Sequence, residues 1–291
     1  MHAKIRIVIG CVLLMALTAG AQEMADVQFF PGVARLAGAP PSQWVSDVTV
    51  YNPNGYDTTV GFQFLREKQE HEIFDILVPP HQQYQLAPGE TRLFEDVLNT
   101  VFGITSDTKG GLLVTCLDDL MQGTSNGEDA VILATMRTYD VSSPVGTYGQ
   151  TIPANNSVTN SSGWVSTVTG ARNDDRFRSN IGVVNLSQES VSFAFQFKRS
   201  NGDVVVQNTR RMEALEVNQW SFDKLGVGSV EGPLTVEVWI DSWGSENDAC
   251  LSFDEGGLEF FVYVSKVDSD TQDAEFMYAA PPPELDELEC P

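Results

Sequence analysis

The sequence predicts an all-β protein made of two tandem antiparallel Ig-like β-sandwich domains. A hairpin-like stretch at residues 46–64 recurs without a gap at residues 179–197. In each copy, about six or seven short apolar runs, separated by turn residues, follow one another over about 120 residues. Many short strands at this spacing are typical of a sandwich of antiparallel sheets.

The repeated stretch has the pattern of two strands joined by a turn. Apolar residues alternate with polar or small ones, and a period of two indicates a strand with one buried face. The alternating apolar positions are Val60, Phe62 and Phe64 in the first copy and Phe193, Phe195 and Phe197 in the second. Asn52 and Asn185 end the preceding strand, where an Asn side chain bonds nearby backbone groups and starts a turn. We therefore expect both Asn residues to be structural.

The two copies continue to match beyond the hairpin. Residues 86–98 correspond to residues 215–227, a strand that leads into a helical turn. In the first copy, apolar residues at helical spacing extend this helix to two or three turns. Two further strands follow in each copy, and the last ends on Asp140 in one and on Asp268 in the other. The repeat therefore covers a whole sandwich and not the hairpin alone.

The N-terminal residues resemble a cleaved secretory signal. Lys4 and Arg6 precede an apolar run at residues 7–17, and Ala19 and Ala21 supply the small residues that signal peptidase requires. The apolar run is shorter than the roughly 20 residues that span a bilayer, which disfavours a transmembrane anchor. We expect removal of residues 1–21 and a protein that is secreted, periplasmic or held at the cell surface.

The rest of the chain divides into two repeats, a linker and a tail. We place the first β-sandwich repeat at residues 27–153 and the second at residues 164–281. Between them, residues 154–163 are small, polar and without apolar periodicity, as in a linker. Residues 282–291 form an acidic tail that we expect to lie outside the second core.

The charge of the chain excludes two classes of partner. The formal net charge is −23, and it becomes −25 once Lys4 and Arg6 leave with the signal. Such a surface repels phosphate backbones and anionic lipid headgroups. We therefore expect no nucleic-acid partner and no membrane insertion after signal cleavage. The acidity fits solubility outside the cell, and cation binding is the alternative.

Three cysteines remain after the signal, and their spacing matches no metal-binding motif. An oxidising compartment would allow a disulfide between Cys250 and Cys290, which ties the tail to the second repeat. Cys116 lies within the apolar run at residues 112–117 and is expected to be a buried thiol.

The sequence contains no catalytic motif that we recognise. Outside the signal the histidines are His71 and His81, and neither has a partner at the spacing of a zinc site. No nucleophile-elbow sequence is present. Carboxylate pairs carry no information among 40 acidic residues. We therefore expect a protein that is not an enzyme and that has no cofactor other than calcium.

The stretch at residues 268–275 has the composition of a calcium-binding turn. Its oxygen-bearing side chains at alternating or adjacent positions are Asp268, Asp270, Gln272 and Asp273. Calcium prefers such hard oxygen ligands. The stretch lacks the Gly of an EF-type loop, so a solvated hairpin loop is the alternative to a calcium site.

Trp243 is the candidate ligand-binding residue. It lies in an insert at residues 241–257, which occupies the same place in the second repeat as residues 118–129 in the first. Loops are where binding usually resides, and an exposed aromatic face suits a sugar ring. The tryptophans in strand-like runs, which we expect to pack in the core or at a sheet edge, are Trp44, Trp220 and Trp239.

A set of short motifs resembles a tandem β-sandwich module of secreted proteins from Acidobacteria and related bacteria. The matching segments are residues 34–38, 44–48, 52–53, 86–91, 96–98, 137–140 and 146–153. The second copy keeps the spacing but replaces the Asn-Pro turn with Asn185-Leu186. The resemblance implies the sandwich fold, export and no transferable catalytic residue. A looser similarity to the sandwich of sensory-rhodopsin transducer proteins implies the fold alone.

These observations favour an exported, non-catalytic structural or interaction module whose partner is a protein or glycan at the cell surface. The alternative is a carbohydrate-binding or calcium-dependent binding module that assists an extracellular degradative system. An enzyme is the third and least supported hypothesis. Because the repeated residues build the scaffold, we expect function to reside in the unmatched loops.

Overall fold

Antiparallel β-strands form nearly all of the regular structure, as the alternating apolar pattern predicts. The structure, a computed structural model, describes residues 23–71, 82–118, 130–144, 146–155, 160–161, 164–243 and 258–280. Within these ranges no helix has the length and apolar character needed to cross a membrane. The signal, the tail and both inserts lie wholly or largely outside the described residues, so the predictions about them and about the domain limits stay predictions.

The strands follow one another along both halves of the chain with short helical turns between them. The elements of the first half are β1 (Val27–Ala37), β2 (Gln43–Tyr51), β3 (Thr58–Arg66), β4 (Gln82–Leu86), β5 (Thr91–Phe94), α1 (Val97–Thr100), β6 (Thr108–Cys116), β7 (Leu133–Asp140) and β8 (Tyr148–Ile152). Those of the second half are β9 (Asn160–Ser161), β10 (Ser166–Asn173), β11 (Phe177–Asn185), β12 (Val191–Arg199), β13 (Val204–Met212), β14 (Val217–Ser221), the 3₁₀ turn η1 (Phe222–Leu225), β15 (Val230–Trp243), β16 (Glu259–Asp268) and β17 (Ala274–Tyr278).

Strand β1 takes part in both sheets of the first half. Most of it pairs with β6, whereas Leu36 and Ala37 at its end pair with β2. The register shifts between Pro31 and Val33, at Gly32 with a φ of 84°, and such a bulge bends a strand. One sheet therefore has the order β4-β3-β6-β1, and the other has the order β5-β2-β7-β8.

The second half repeats this arrangement. One sheet has the order β13-β12-β15-β10, and the other has the order β14-β11-β16-β17, with β9 paired to β16. When β1–β8 are matched with β10–β17, the strand order is the same in both halves. The predicted fold class, an all-β sandwich of antiparallel sheets, is confirmed.

Each half has its own hydrophobic core between its two sheets. The predicted inward positions account for much of both cores: Val60, Phe62, Phe193, Phe195 and Phe197 are fully buried. Phe64 differs, because it is only half-buried and packs against Phe102 beside α1.

The two repeated Asn residues make equivalent contacts in the two halves. Both side chains are completely buried. Asn52 Nδ2 donates to the backbone oxygens of Tyr56 and Leu86 at 2.9 and 3.1 Å. Asn185 Nδ2 donates to those of Glu189 and Glu213 at 2.9 and 2.8 Å. The predicted structural role of both residues is confirmed.

Helix α1 is a single turn and therefore shorter than expected. Residues 91–94, at the start of the apolar helical pattern, are used by β5, which pairs with β2. At the other end Gly103 has a φ of 68° and donates to Asn99 O, while Ile104 N donates to Leu98 O. This left-handed closure ends the helix.

A third apolar cluster lies between the two halves. Its residues from the first half are Phe29, Leu65 and Leu113, and those from the second are Val184, Val217, Phe261 and Tyr263. The sheet β4-β3-β6-β1 thus contacts the sheet β14-β11-β16-β17. At one margin of this contact, Lys68 N donates to Val217 O at 3.0 Å. The two halves therefore share a buried apolar interface in addition to their separate cores.

Candidate functional site

The interface between the halves opens at one end into a cleft of about 190 Å³. The apolar contact and the cleft occupy the same outward strand faces. Along β11, Val184 and Gly182 lie at the apolar contact, and Asn180 and Arg178 line the cleft. These four residues alternate along the strand, so they share one face. The face therefore changes from apolar to polar over a few residues.

The first half contributes the opposite wall of the cleft. Phe29 on β1 and Leu113 on β6 belong to the apolar contact. Further along the same strands, Ala34 and Lys109 line the cleft. Because β1 bends at Gly32 and carries a small side chain at Ala34, the two sheets do not close on each other there.

Arg178 supplies a positive charge without a described counterion. Its Nη2 donates to Gln272 Oε1 at 2.6 Å, and its Nη1 donates to Ser269 Oγ at 3.4 Å. Both acceptors are neutral. Burial lowers the pKa of Arg178, and no described carboxylate lies close enough to counteract this. The guanidinium is therefore held in place but not neutralised within the described chain.

Lys109 is a second cation in the cleft, and it is already paired. Its Nζ lies 3.3 Å from Glu67 Oε2 and donates to Gln219 O at 3.5 Å. Burial lowers the pKa of Lys109, and the charge of Glu67 works against that effect. Arg178 is thus the less compensated of the two charges.

Two glutamines face the cleft with their oxygen atoms already engaged. Gln219 Oε1 accepts from Tyr263 OH at 3.2 Å, and Gln150 Oε1 accepts from Ser265 Oγ at 3.1 Å. Burial raises the pKa of Tyr263 far above its ordinary value, so its hydroxyl stays protonated. Neither glutamine donates through Nε2 to any described residue, which leaves two amide donors available at the cleft.

Aromatic and aliphatic side chains complete the lining. Trp44, Phe276, Leu36 and Val267 lie beside the polar groups. The indole of Trp44 covers Gly38, where a Cβ atom would come within 2.5 Å of Nε1. The cleft thus combines hydrogen-bond donors with apolar surface, as small-molecule sites do.

The lining contains no carboxylate, imidazole or thiol among the residues described. These groups supply most general bases and many nucleophiles. The residues that line the cleft can hold a ligand through the charge of Arg178, the amide groups of Gln150 and Gln219, and apolar side chains.

The structure places the predicted calcium residues at the end of β16 and in the turn that leads to β17, and Asp268, the last residue of β16, already has partners. Its Oδ2 accepts two bonds from Arg176, at 2.9 and 2.8 Å. Its Oδ1 accepts from the backbone amides of Asp270 and Thr271.

The other predicted ligands do not converge with Asp268 on a shared centre. Gln272 points its oxygen at Arg178, while Asp270 and Asp273 are exposed. No group of three or more His, Cys, Asp or Glu in the described ranges is arranged to hold a metal. The calcium site stays a prediction, and a melting temperature unchanged by millimolar calcium would end it.

Asp140, the equivalent of Asp268 in the first half, has a similar role. Its Oδ1 accepts from the backbone amides of Gln43 and Ser142 at 2.8 and 2.9 Å. In both halves this carboxylate therefore fixes the loop that follows the seventh strand of the repeat.

The remaining candidate residues have different outcomes. Cys116 is completely buried in the first core, as predicted. Trp243 ends β15, but its side chain lies outside the described part of the structure, and so do Cys250 and Cys290. The ligand site at Trp243 and the disulfide stay predictions, and a thiol count on the unreduced, unfolded protein tests the disulfide.

Of the strand tryptophans, Trp220 follows the prediction, because it is buried against Phe195 in the second core. The prediction is wrong for the other two. Trp239 is half-buried on the interior strand β15, outside the core cluster, and Trp44 is paired on both sides, with Leu36 and Asp140, and lines the cleft.

Sequence reasoning did not find the cleft residues Arg178, Lys109, Gln150 and Gln219. One available signal was the position of Arg178, which aligns with the buried Val45 of the first copy. Where one copy has a buried Val and the other has an Arg at the same strand position, the environment of that strand face must differ between the two copies.

Comparison with known proteins yields no family. No family model matches the chain, and no curated protein shows a significant match. Among solved structures, an α-L-rhamnosidase of Streptomyces avermitilis is similar at 7% identity and a TM-score of 0.24, over 89% of this chain and 26% of the other. A structure of infectious bursal disease virus strain Gx is similar at 11% identity and a TM-score of 0.18, over 91% of this chain and 73% of the other. A β-glucuronidase of Bacteroides uniformis is similar at 8% identity and a TM-score of 0.14, over 85% of this chain and 25% of the other.

The chain thus spans about a quarter of the length of both bacterial enzymes. At TM-scores this low, the similarities support no inference about this chain.

Proposed function

We propose that this protein is an exported, non-catalytic binding module that holds a small ligand between two joined β-sandwich repeats. The observation that carries the proposal is the donor-lined cleft at the end of the apolar interface. Such a cleft is recessed, partly apolar and formed by two separate structural units, which are common properties of small-molecule sites.

Binding is favoured over catalysis because of the groups that line the cleft. Lys109 is paired with Glu67, and Tyr263 keeps its proton, so neither is poised as a base at neutral pH. The amides of Gln150 and Gln219 donate hydrogen bonds but do not transfer protons. The described lining therefore supports recognition without a chemical step.

Export is part of the proposal and rests on the sequence. The N-terminal charge, apolar run and small residues at positions 1–21 are those of a secretory signal. The acidic composition is consistent with a soluble protein outside the cell.

A blocking variant tests the proposed site. Ala39 is exposed and borders the cleft, so Ala39→Trp narrows the opening without altering either core. Thermal-shift screening of the chain without its signal, against neutral sugars, amino acids and small organic acids, is expected to find ligands. Ala39→Trp is expected to abolish their effect while keeping the melting temperature of the unliganded protein.

Two results would contradict the proposal. Turnover on a broad panel of hydrolase substrates would make the protein an enzyme. Glycan-array binding that Trp243→Ala removes and Ala39→Trp preserves would move the ligand site to the insert at 241–257, in agreement with an accessory carbohydrate-binding module.

A further inference from the structure

We infer that the cleft between the repeats binds a small organic monocarboxylate, with the carboxylate held by Arg178 and the remainder against the apolar lining. This inference rests on the proposed binding function and adds the chemical class of the ligand. It is carried by the charge, the hydrogen-bond donors, the size and the apolar part of the cleft.

The guanidinium of Arg178 has no counterion among the described residues. Ser269 and Gln272 fix the orientation of Arg178 through neutral oxygens. A guanidinium presents several donors in a planar fork and binds a carboxylate through two parallel hydrogen bonds. A partly buried charge that finds no counterion in the described part of the chain favours an anionic ligand, because the ligand supplies the compensating charge.

The side chains that line the cleft offer a ligand more hydrogen-bond donors than acceptors. Tyr263 and Ser265 occupy the oxygens of Gln219 and Gln150, so these side chains meet a ligand with their Nε2 groups. The indole N–H of Trp44 has no acceptor among the residues described and adds a donor on the same lining. A carboxylate is an acceptor with two oxygens and about four lone-pair sites, which matches this set.

The volume of the cleft limits the size of the ligand. A volume of about 190 Å³ corresponds to roughly six water molecules at about 30 Å³ each. This space suits a hydroxy acid or a single sugar-acid ring and is smaller than the roughly 300–1,000 Å³ of sites that hold drug-sized molecules.

The negative net charge of the chain favours a small monoanion over a polyanion as the ligand. The chain carries 40 acidic and 17 basic residues, so its surface repels an extended polyanion. A single charge inside the cleft is affected mainly by groups within about 8–10 Å, the screening distance at physiological salt. Among the residues that line the cleft, Arg178 and Lys109 carry the charges and both are positive, while Glu67 lies beside Lys109 and compensates it.

The apolar part of the cleft lining favours an organic acid over an inorganic anion. Leu36, Val267, Phe276 and Trp44 provide apolar surface beside the donors. Sulfate and phosphate have no apolar part to place there. A carboxylate on a ring or short chain fills both parts of the cleft.

Calorimetric titration of the signal-free chain tests the inference. The probes are galacturonate, lactate and benzoate, with galactose as the neutral counterpart of galacturonate, sulfate and phosphate as inorganic anions, and polygalacturonate as the polymer. At least one monocarboxylate is expected to bind, whereas galactose, the inorganic anions and the polymer bind more weakly or not at all.

Charge removal provides the decisive comparison. Arg178→Gln is expected to weaken monocarboxylate binding by roughly tenfold to a hundredfold, as loss of hydrogen bonds from a charged group does. Lys109→Gln is expected to have a smaller effect, because Glu67 already neutralises this cation. Arg199→Gln is the matched control, since Arg199 is an exposed arginine at the end of β12 and is not part of the cleft lining. Arg178→Lys, which keeps the charge, is expected to retain part of the affinity.

The outcomes separate this inference from the proposed function. If carboxylates bind equally well to Arg178→Gln, or if inorganic anions, the polymer or neutral ligands bind better, the carboxylate inference is wrong. Ala39→Trp then shows whether the cleft is still the site. If no ligand of any class depends on Ala39, the proposed function fails as well.

Discussion

The ring of Tyr263 lies over the backbone of Gly182, its cross-strand partner on β11. A Cβ atom at Gly182 would come within 2.0 Å of Tyr263 Cζ, so any larger residue would displace the ring. The same ring stacks on Phe276 at a centroid distance of 5.0 Å, and its hydroxyl donates to Gln219. Tyr263 therefore stands at the boundary between the apolar interface and the polar cleft.

We expect Gly182→Ala to destabilise the protein by about 1–3 kcal/mol, because the added methyl group overpacks a buried contact. Urea unfolding of the signal-free chain measures the change. Gly55→Ala is the control, because a Cβ atom at Gly55 meets nothing within 4 Å. Equal stability of the two variants would show that Tyr263 does not occupy the space above Gly182.

A second prediction concerns Phe29 and Phe261, whose rings meet edge to face across the interface at 5.3 Å. Replacing either by Leu keeps an apolar side chain but removes part of the buried volume, and is expected to cost about 1–3 kcal/mol. The double variant is expected to show a coupling energy of about 0.5–1.5 kcal/mol, the usual range for such a ring pair.

The matching control pairs Phe29→Leu with Phe222→Leu, because Phe222 belongs to the second core and not to the interface cluster. That pair is expected to be additive within about 0.5 kcal/mol. Additivity of Phe29→Leu and Phe261→Leu would mean that the two halves do not meet through these rings in solution.

The sandwich and its repeat could be predicted because alternation and turn residues act locally. Val60 and Phe62 are buried where the alternating pattern places them. The turn-forming role of each Asn is also partly local, since one bond goes to its own turn, at Tyr56 or Glu189, whereas the second bond, to Leu86 or Glu213, reaches a later part of the chain. The local features depend on neighbouring residues and are visible in one stretch of sequence.

The interface between the two halves is also indicated by the sequence, but less clearly than the strands are, because its pattern is a continuous apolar run and not an alternating one. Residues 260–264 are continuously apolar and buried on both faces, whereas the equivalent β7 alternates. Continuous apolar runs are typical of strands covered on both sides. This contrast between the copies indicates that β16 is covered by another unit.

The cleft itself could not be derived from sequence. It requires Arg178 and Lys109, from different repeats, to lie on facing sheets. Their proximity depends on how the two sheets are placed against each other, and no local pattern encodes that placement. The loops, in which the sequence analysis places function, do not include the strand faces that line the cleft.

The buried Asn pair gives a third prediction. Asn52→Ala and Asn185→Ala each leave buried backbone oxygens without their donor, which costs about 1–3 kcal/mol per unsatisfied group. We expect both variants to lose stability by similar amounts in urea unfolding, since the two sites are equivalent. Asn201→Ala is the control: Asn201 bonds Asp203 in an exposed turn, at 2.8 and 3.1 Å, so its loss is expected to change stability less than the loss of either buried Asn. A large difference between the two buried sites would contradict the structural equivalence of the halves.

The fourth prediction concerns acid unfolding and the carboxylates that end β7 and β16. Burial alone would raise the pKa of Asp140, but the amides of Ser142 and Gln43 outweigh it, so the pKa lies below its ordinary value. Burial likewise acts to raise the pKa of Asp268, and the hydrogen bonds from Arg176 and from the turn amides lower it.

A pKa that is lower in the folded state than in the unfolded state makes the charged form stabilising. This contribution is fully present above the unfolded value of about 3.9 and is lost as the pH falls toward the folded value. The free energy of unfolding of the wild-type protein is therefore expected to decline below about pH 5, because the unfolded chain binds more protons than the folded one.

Asp140→Asn combined with Asp268→Asn is expected to lower stability at neutral pH and to flatten this acid decline, since two of the groups responsible no longer titrate. Urea midpoints measured between pH 7 and pH 2 test both effects. Asp57→Asn, at an exposed turn without a described hydrogen bond to its carboxylate, should leave the decline unchanged. If the double variant kept the wild-type slope, the acid sensitivity would arise elsewhere, and the loop-fixing role of these two carboxylates would not extend to stability.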